Sequence, residues 1–92
     1  MSLNSLTLAD LPRLGRARVA GVVGDDAVAA RLRELGFSTG TEVGFVRAAP
    51  LGDPFCFRLR GVEICLRRRE ALRVLVVPDG EAALAAAAGG HA

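Results

Sequence analysis

The chain has no tryptophan, no tyrosine and no lysine, and it has one histidine and two cysteines. No apolar run approaches the roughly 20 residues that cross a bilayer. Without Trp or Tyr, base-stacking platforms and grooves for proline-rich peptides are disfavoured, because both rely on aromatic faces. All 12 basic residues are arginine, yet the net charge is only +2. That is too little for the phosphate footprint of a dedicated nucleic-acid binder, so no nucleic acid is expected as a partner. His91 is in the C-terminal tail, so no Ser–His–Asp, Cys–His or HExxH constellation can be assembled before it. No GxxxxGK[ST] phosphate loop occurs, and the carboxylates are scattered singly apart from Asp25–Asp26. The sequence gives no reason to expect an enzyme. The opening residues "MSLNSLTLADL" lack the basic start and long apolar stretch of a signal peptide, so the expected location is the cytoplasm.

What is present is a single small domain. The 92 residues are 51% hydrophobic, enough for a core. A chain this short buries a smaller share of its surface than a long one, so its stability margin should be thin. Residues 6–78 read as the domain, 1–5 as a flexible N-terminus, and 79–92 as an Ala/Gly-rich tail.

Leu6 to Gly15 reads as a short extended piece and one turn, punctuated by Pro12 and Gly15. Arg16 to Val23 alternates, with Ala17, Val19, Gly21 and Val23 on one face of a strand. A helix follows. Asp25 or Asp26 supplies the N-cap, and Val28, Leu32 and Leu35 form an apolar stripe at i, i+4 and i+7. Gly36 stands where a left-handed residue ends a helix, so a Schellman motif would fold Phe37 back onto Leu32. Ser38 to Gly40 turns the chain into a strand with Val43 and Phe45 on one side. "PLGDP", Pro50 to Pro54, is a turn cluster.

Phe55 to Leu66 reads as a hairpin. With Arg60–Gly61 as a two-residue turn, Leu59 faces Val62, Arg58 faces Glu63, Phe57 faces Ile64 and Cys56 faces Cys65. Phe55, Phe57, Leu59, Val62, Ile64 and Leu66 then share one face, and Arg58–Glu63 becomes a cross-strand ion pair. A longer turn around Arg60 would also fit. Arg67 to Leu72 is at most a helical turn, and Arg73 to Pro78 is a last strand. Five short strands must hide their edges, and curling into a small barrel does so, with the last strand beside the first and the helix as a cap.

"RLRELGFSTGTEV", followed by "RAAPLGDPFCFRLRGVEICLRRREALRVLV", resembles the FeoA family of ferrous iron transport accessory proteins. The shared features, in order, are the Leu35–Gly36 helix end, Gly40 before a strand, Pro50, Gly52–Asp53–Pro54, and Leu66–Arg67 ahead of Glu70–Ala71. The resemblance covers about Leu8 to Val77. It implies an SH3-like β-barrel with one inserted helix. It also implies a cytosolic accessory or regulatory role in iron uptake, with the membrane transporter FeoB as partner. Contact with the membrane would then be indirect, through FeoB. The same domain also occurs in iron-dependent repressors, but no DNA-binding helical domain precedes it here. Other readings are an SH3-like module for nucleic acid or another protein, and a FeoA-like regulatory domain unrelated to transport.

The candidate partner-binding residues are Phe37, Leu51, Asp53, Arg67, Arg68 and Arg69. Leu51 and Phe37 are apolar residues in or beside turns, and the arginine run suits an acidic surface or anionic lipid. Against this, Phe37 closes the helix cap, Leu51 packs on the barrel, and the arginines are a solvated turn offset by Glu70 and Glu63. Cys56 and Cys65 read first as unpaired outward thiols. The proposed register also permits a disulfide, since a non-hydrogen-bonded pair brings Cα atoms close. As ligands for Fe(II) or Zn(II) they supply two donors where a structural zinc site has four, unless a homodimer shares them. No cofactor is expected.

Overall fold

The computed structural model describes residues 6–79; the expectations for residues 1–5 and for the tail from 80 onward lie outside that range. The elements in chain order are β1 (Leu6–Thr7), a 3-10 turn (Leu8–Asp10), α1 (Leu11–Leu14), β2 (Arg16–Val22), α2 (Ala27–Leu35), β3 (Glu42–Ala48), β4 (Phe55–Leu59), β5 (Val62–Leu66), α3 (Arg68–Ala71) and β6 (Val74–Pro78). They form one six-stranded antiparallel sheet in the order β1-β6-β2-β3-β4-β5. The last strand lies beside β2 as expected. The strand count is six rather than five, because Leu6 and Thr7 pair with Val76 and Leu75. Thr7 then caps the 3-10 turn: its Oγ1 accepts from Ala9 N–H at 3.2 Å, while Asp10 Oδ2 accepts from Thr7 N–H at 2.9 Å.

The concave side of the sheet is filled by Leu8, Leu11, Leu32, Phe37, Phe57 and Leu66, all essentially inaccessible to water. Among the described residues β5 and β1 are not paired; side-chain packing of α3 on the 3-10 turn closes that seam.

In α2 the N-cap is Asp26, whose Oδ1 accepts from Ala29 N–H at 3.1 Å. Gly36 is left-handed, at φ 115°. Gly36 N–H donates to Arg33 O at 3.1 Å and Phe37 N–H to Leu32 O at 3.2 Å, the two bonds of a Schellman motif. Phe37 is thereby driven into the core beside Leu32. Leu35, expected on the apolar stripe, is instead 38% exposed.

Two bulges re-aim the sheet. Ala20 is the extra residue in β2, between the Val19↔Val76 and Gly21↔Leu75 pairs. The alternation is therefore broken: Val22 packs on the core and Val23 points outward, the reverse of the sequence reading. Val46 is the extra residue in β3, between Phe45↔Phe57 and Arg47↔Cys56.

The β4–β5 hairpin has the two-residue register, from Leu59↔Val62 to Phe55↔Leu66. Arg60 and Gly61 both have positive φ, 54° and 79°, as a type I′ turn requires. Val62 is the exception on the buried face: it adjoins the turn and is 59% exposed.

Candidate functional site

The "PLGDP" loop and the arginine run, separate in sequence, come together in space. Gly52 N–H donates to Ala49 O at 2.7 Å, giving a tight turn with Pro50 and Leu51 at its centre. Ala49 N–H donates to Pro54 O at 3.0 Å and closes the loop base, next to a cis Asp53–Pro54 bond. Leu51, at the tip, is 97% exposed and does not pack on the barrel. Asp53 joins the loop to α3, its Oδ1 accepting from Arg68 N–H at 2.9 Å. It thus satisfies a free amide at the start of that helix.

Arg67, Arg68 and Arg69 are all exposed. The Arg68 guanidinium carbon lies 5.9 Å from the centroid of the Phe55 ring, a cation–π contact with the first residue of β4. The Arg68 N–H to Asp53 bond thus ties the loop that carries Leu51 to the start of α3, where Arg67, Arg68 and Arg69 are exposed. Phe37 does not belong to this surface: folded under the Schellman turn, it is 1% exposed and cannot be a contact residue.

Behind this surface α3 is tied to α2. Arg31 pairs with Glu70, and Arg73 pairs with Asp26. Burial opposes ionisation of Glu70, but hydrogen bonds from Arg67 N–H and the Arg31 guanidinium outweigh it and hold its carboxyl below the usual carboxylate range. The Arg73 guanidinium, and then Ala29 N–H, do the same for Asp26. Pattern reasoning missed both pairs, because each partner came from a different element.

On the outer face of the hairpin, Cys56 and Cys65 are a disulfide with Cα atoms 4.0 Å apart, not the unpaired thiols read first. The short cross-strand distance of this pair is what makes the bond feasible. Glu63 does not pair with Arg58. It is claimed by Arg47 of β3, whose Nη2 lies 2.6 Å from Glu63 Oε2. The bulge at Val46 places Arg47 opposite Cys56, diagonal to Glu63. Arg58 instead lines a shallow groove with Arg16, Glu42 and Arg60.

The FeoA domain model matches residues 6–78. The chain belongs to the FeoA family. The resemblance read from its motifs is therefore borne out, and with it the SH3-like fold and the association of the family with ferrous iron transport. A FeoA-like protein from Clostridium acetobutylicum superposes with TM-score 0.72 at 33% identity, over 79% of this chain and 85% of that one. Stenotrophomonas maltophilia FeoA, a procaryotic SH3 domain protein crystallised with zinc, superposes with TM-score 0.69 at 41% identity, over 78% and 89%. A Porphyromonas gingivalis Fe(2+) transport protein A/Fe(2+) transporter FeoB fusion protein is 31% identical over 71 residues, 77% of this chain. The chain spans 8% of that relative's length. Among the described residues no helix is long and apolar enough to cross a membrane.

Proposed function

We propose that this FeoA-family chain is a non-catalytic accessory of ferrous iron uptake, acting in the cytoplasm at the membrane face by docking on a FeoB-type transporter. The observation that carries the reading is the relative in which a FeoA region and FeoB share one polypeptide. Covalent fusion makes the encounter of two modules intramolecular, which is useful only where they work in contact. The contact surface we assign is the loop tip at Leu51 with Asp53 and the exposed Arg67, Arg68 and Arg69. A bare leucine on a loop braced by two backbone hydrogen bonds can enter a pocket with little loss of freedom. The arginines around it favour an acidic rim.

Docking would bias the transporter's assembly or GTP cycle only if the chain binds two of its states with different affinity. The test is binding to the cytoplasmic part of a FeoB-type transporter, with and without a GTP analogue. Leu51→Asp should weaken binding by about 10- to 100-fold, the equivalent of burying one leucine, while the folded spectrum is unchanged. Equal binding by Leu51→Asp would remove the loop from the interface, and no binding by the wild-type chain would remove FeoB as the partner.

A further inference from the structure

We propose that the β4–β5 hairpin carries a redox-gated site for one zinc-class divalent cation. It is closed as the Cys56–Cys65 disulfide and, after reduction, is built from Cys56 Sγ, Cys65 Sγ and the Glu63 carboxylate. This site goes beyond the docking role and does not depend on it.

Three donors converge there. Cys56 and Cys65 face each other across the strands with Cα atoms 4.0 Å apart. Glu63 lies two residues before Cys65 on the same strand and so projects from the same face. The two sulfurs and a Glu63 carboxylate oxygen all lie within 4.8 Å of one another. Cys65 Sγ is 4.0 Å from Glu63 Oε2. In a tetrahedral site with Zn–S near 2.3 Å, two thiolate sulfurs sit about 3.8 Å apart, a separation that side-chain rotation supplies once the S–S bond is gone.

Arg47 completes the arrangement. Its contact with Oε2, the same oxygen that lies 4.0 Å from Cys65 Sγ, holds the Glu63 carboxylate beside the sulfurs, and rotation of the carboxylate would turn Oε1 to the ion. Two thiolates, one carboxylate, one guanidinium and a divalent ion sum to a neutral cluster. Three protein donors leave a fourth position for water, as in an open zinc site, so the cation would exchange readily.

The gating chemistry is balanced. A dithiol reductant passes two electrons and two protons to the disulfide, becoming a cyclic disulfide itself and leaving two protein thiols. Metal binding then releases those two protons to solvent as the thiolates form bonds to the ion. The S–S bond and the metal are alternatives, because the sulfurs joined to each other are no longer thiolates.

The experiment titrates cobalt(II) and zinc(II) into the full chain under anaerobic conditions, before and after reduction with dithiothreitol and its removal. Reduced protein should take up one ion per chain and show tetrahedral cobalt bands with thiolate charge transfer. Oxidised protein should bind at least about 100-fold more weakly, having lost both thiolate donors. Glu63→Gln, on an exposed residue, should keep the fold, checked by circular dichroism, and weaken zinc by at least about tenfold. Equal binding by oxidised and reduced protein would overturn the site. So would half an ion per chain with no effect of Glu63→Gln, since four cysteines from two copies would then be the ligands.

Discussion

Gly36 and Arg60 both hold left-handed backbone, with φ of 115° and 54°, but Gly36 has no Cβ to strain and Arg60 has one, so the consequences are opposite. A Cβ on Gly36 would stand 3.2 Å from Leu59 Cδ2, on top of the strain any L-residue meets there. Gly36→Ala should therefore lower unfolding stability by about 1–2 kcal/mol, read by urea denaturation. Arg60 already bears that strain in a type I′ turn, where asparagine is preferred. Among the described residues its guanidinium makes two long, exposed hydrogen bonds, 3.3 Å each to Ser38 Oγ and Thr41 Oγ1. Arg60→Asn should raise stability by up to about 1 kcal/mol, and a loss would mean that those exposed bonds outweigh the turn.

At the scale of elements, α2 and the segment from Glu70 to Arg73 are clasped by two reciprocal ion pairs, Asp26–Arg73 and Arg31–Glu70. Both carboxyls are held below their ordinary values of 3.8 for Asp26 and 4.5 for Glu70. A depressed folded-state pKa means that the unfolded chain takes up protons first as pH falls. The stabilisation is complete above the ordinary values and is lost below them, as each folded carboxyl is protonated in turn. The thermal midpoint should fall as pH is lowered from 5 towards 2.5, and Arg31→Gln with Arg73→Gln should flatten that fall (the interval brackets the two ordinary values). An acid limb of unchanged steepness in the double variant would place the loss elsewhere.

These clasps also mark where sequence reading stopped. The hairpin register and the Gly36 cap were legible because each is decided within a few residues, by turn chemistry and period-two patterning. The partners of Glu63 and Asp53 were not, because Arg47 and the Arg68 amide reach them from other elements. A bulge leaves no signature in alternation until a residue such as Val23 faces the wrong way.

For the whole molecule the governing feature is the seam between β5 and β1. The sheet supplies no backbone ladder there among the described residues, so closure rests on α3, which packs on both β5 and the 3-10 turn and brings buried Leu8, Leu66 and Ala71 to the seam. Leu66 belongs to this seam and also pairs with Phe55 across the hairpin. Leu66→Ala should cost about 2–5 kcal/mol, against a total of only about 4–11 kcal/mol for a domain of this size. If the seam is part of one cooperative core, the loss is global: amide protection in β2 and β3, on the far side of the sheet, falls together with that in β5. If only β5 and α3 lose protection while β2 and β3 keep theirs, the seam is a local latch. The docking surface we propose is tied to that same β5–α3 connection by the Arg68 N–H to Asp53 bond. A local latch would therefore let the Leu51 loop and the arginines part without unfolding the barrel, whereas a cooperative seam makes the surface as rigid as the core that carries it.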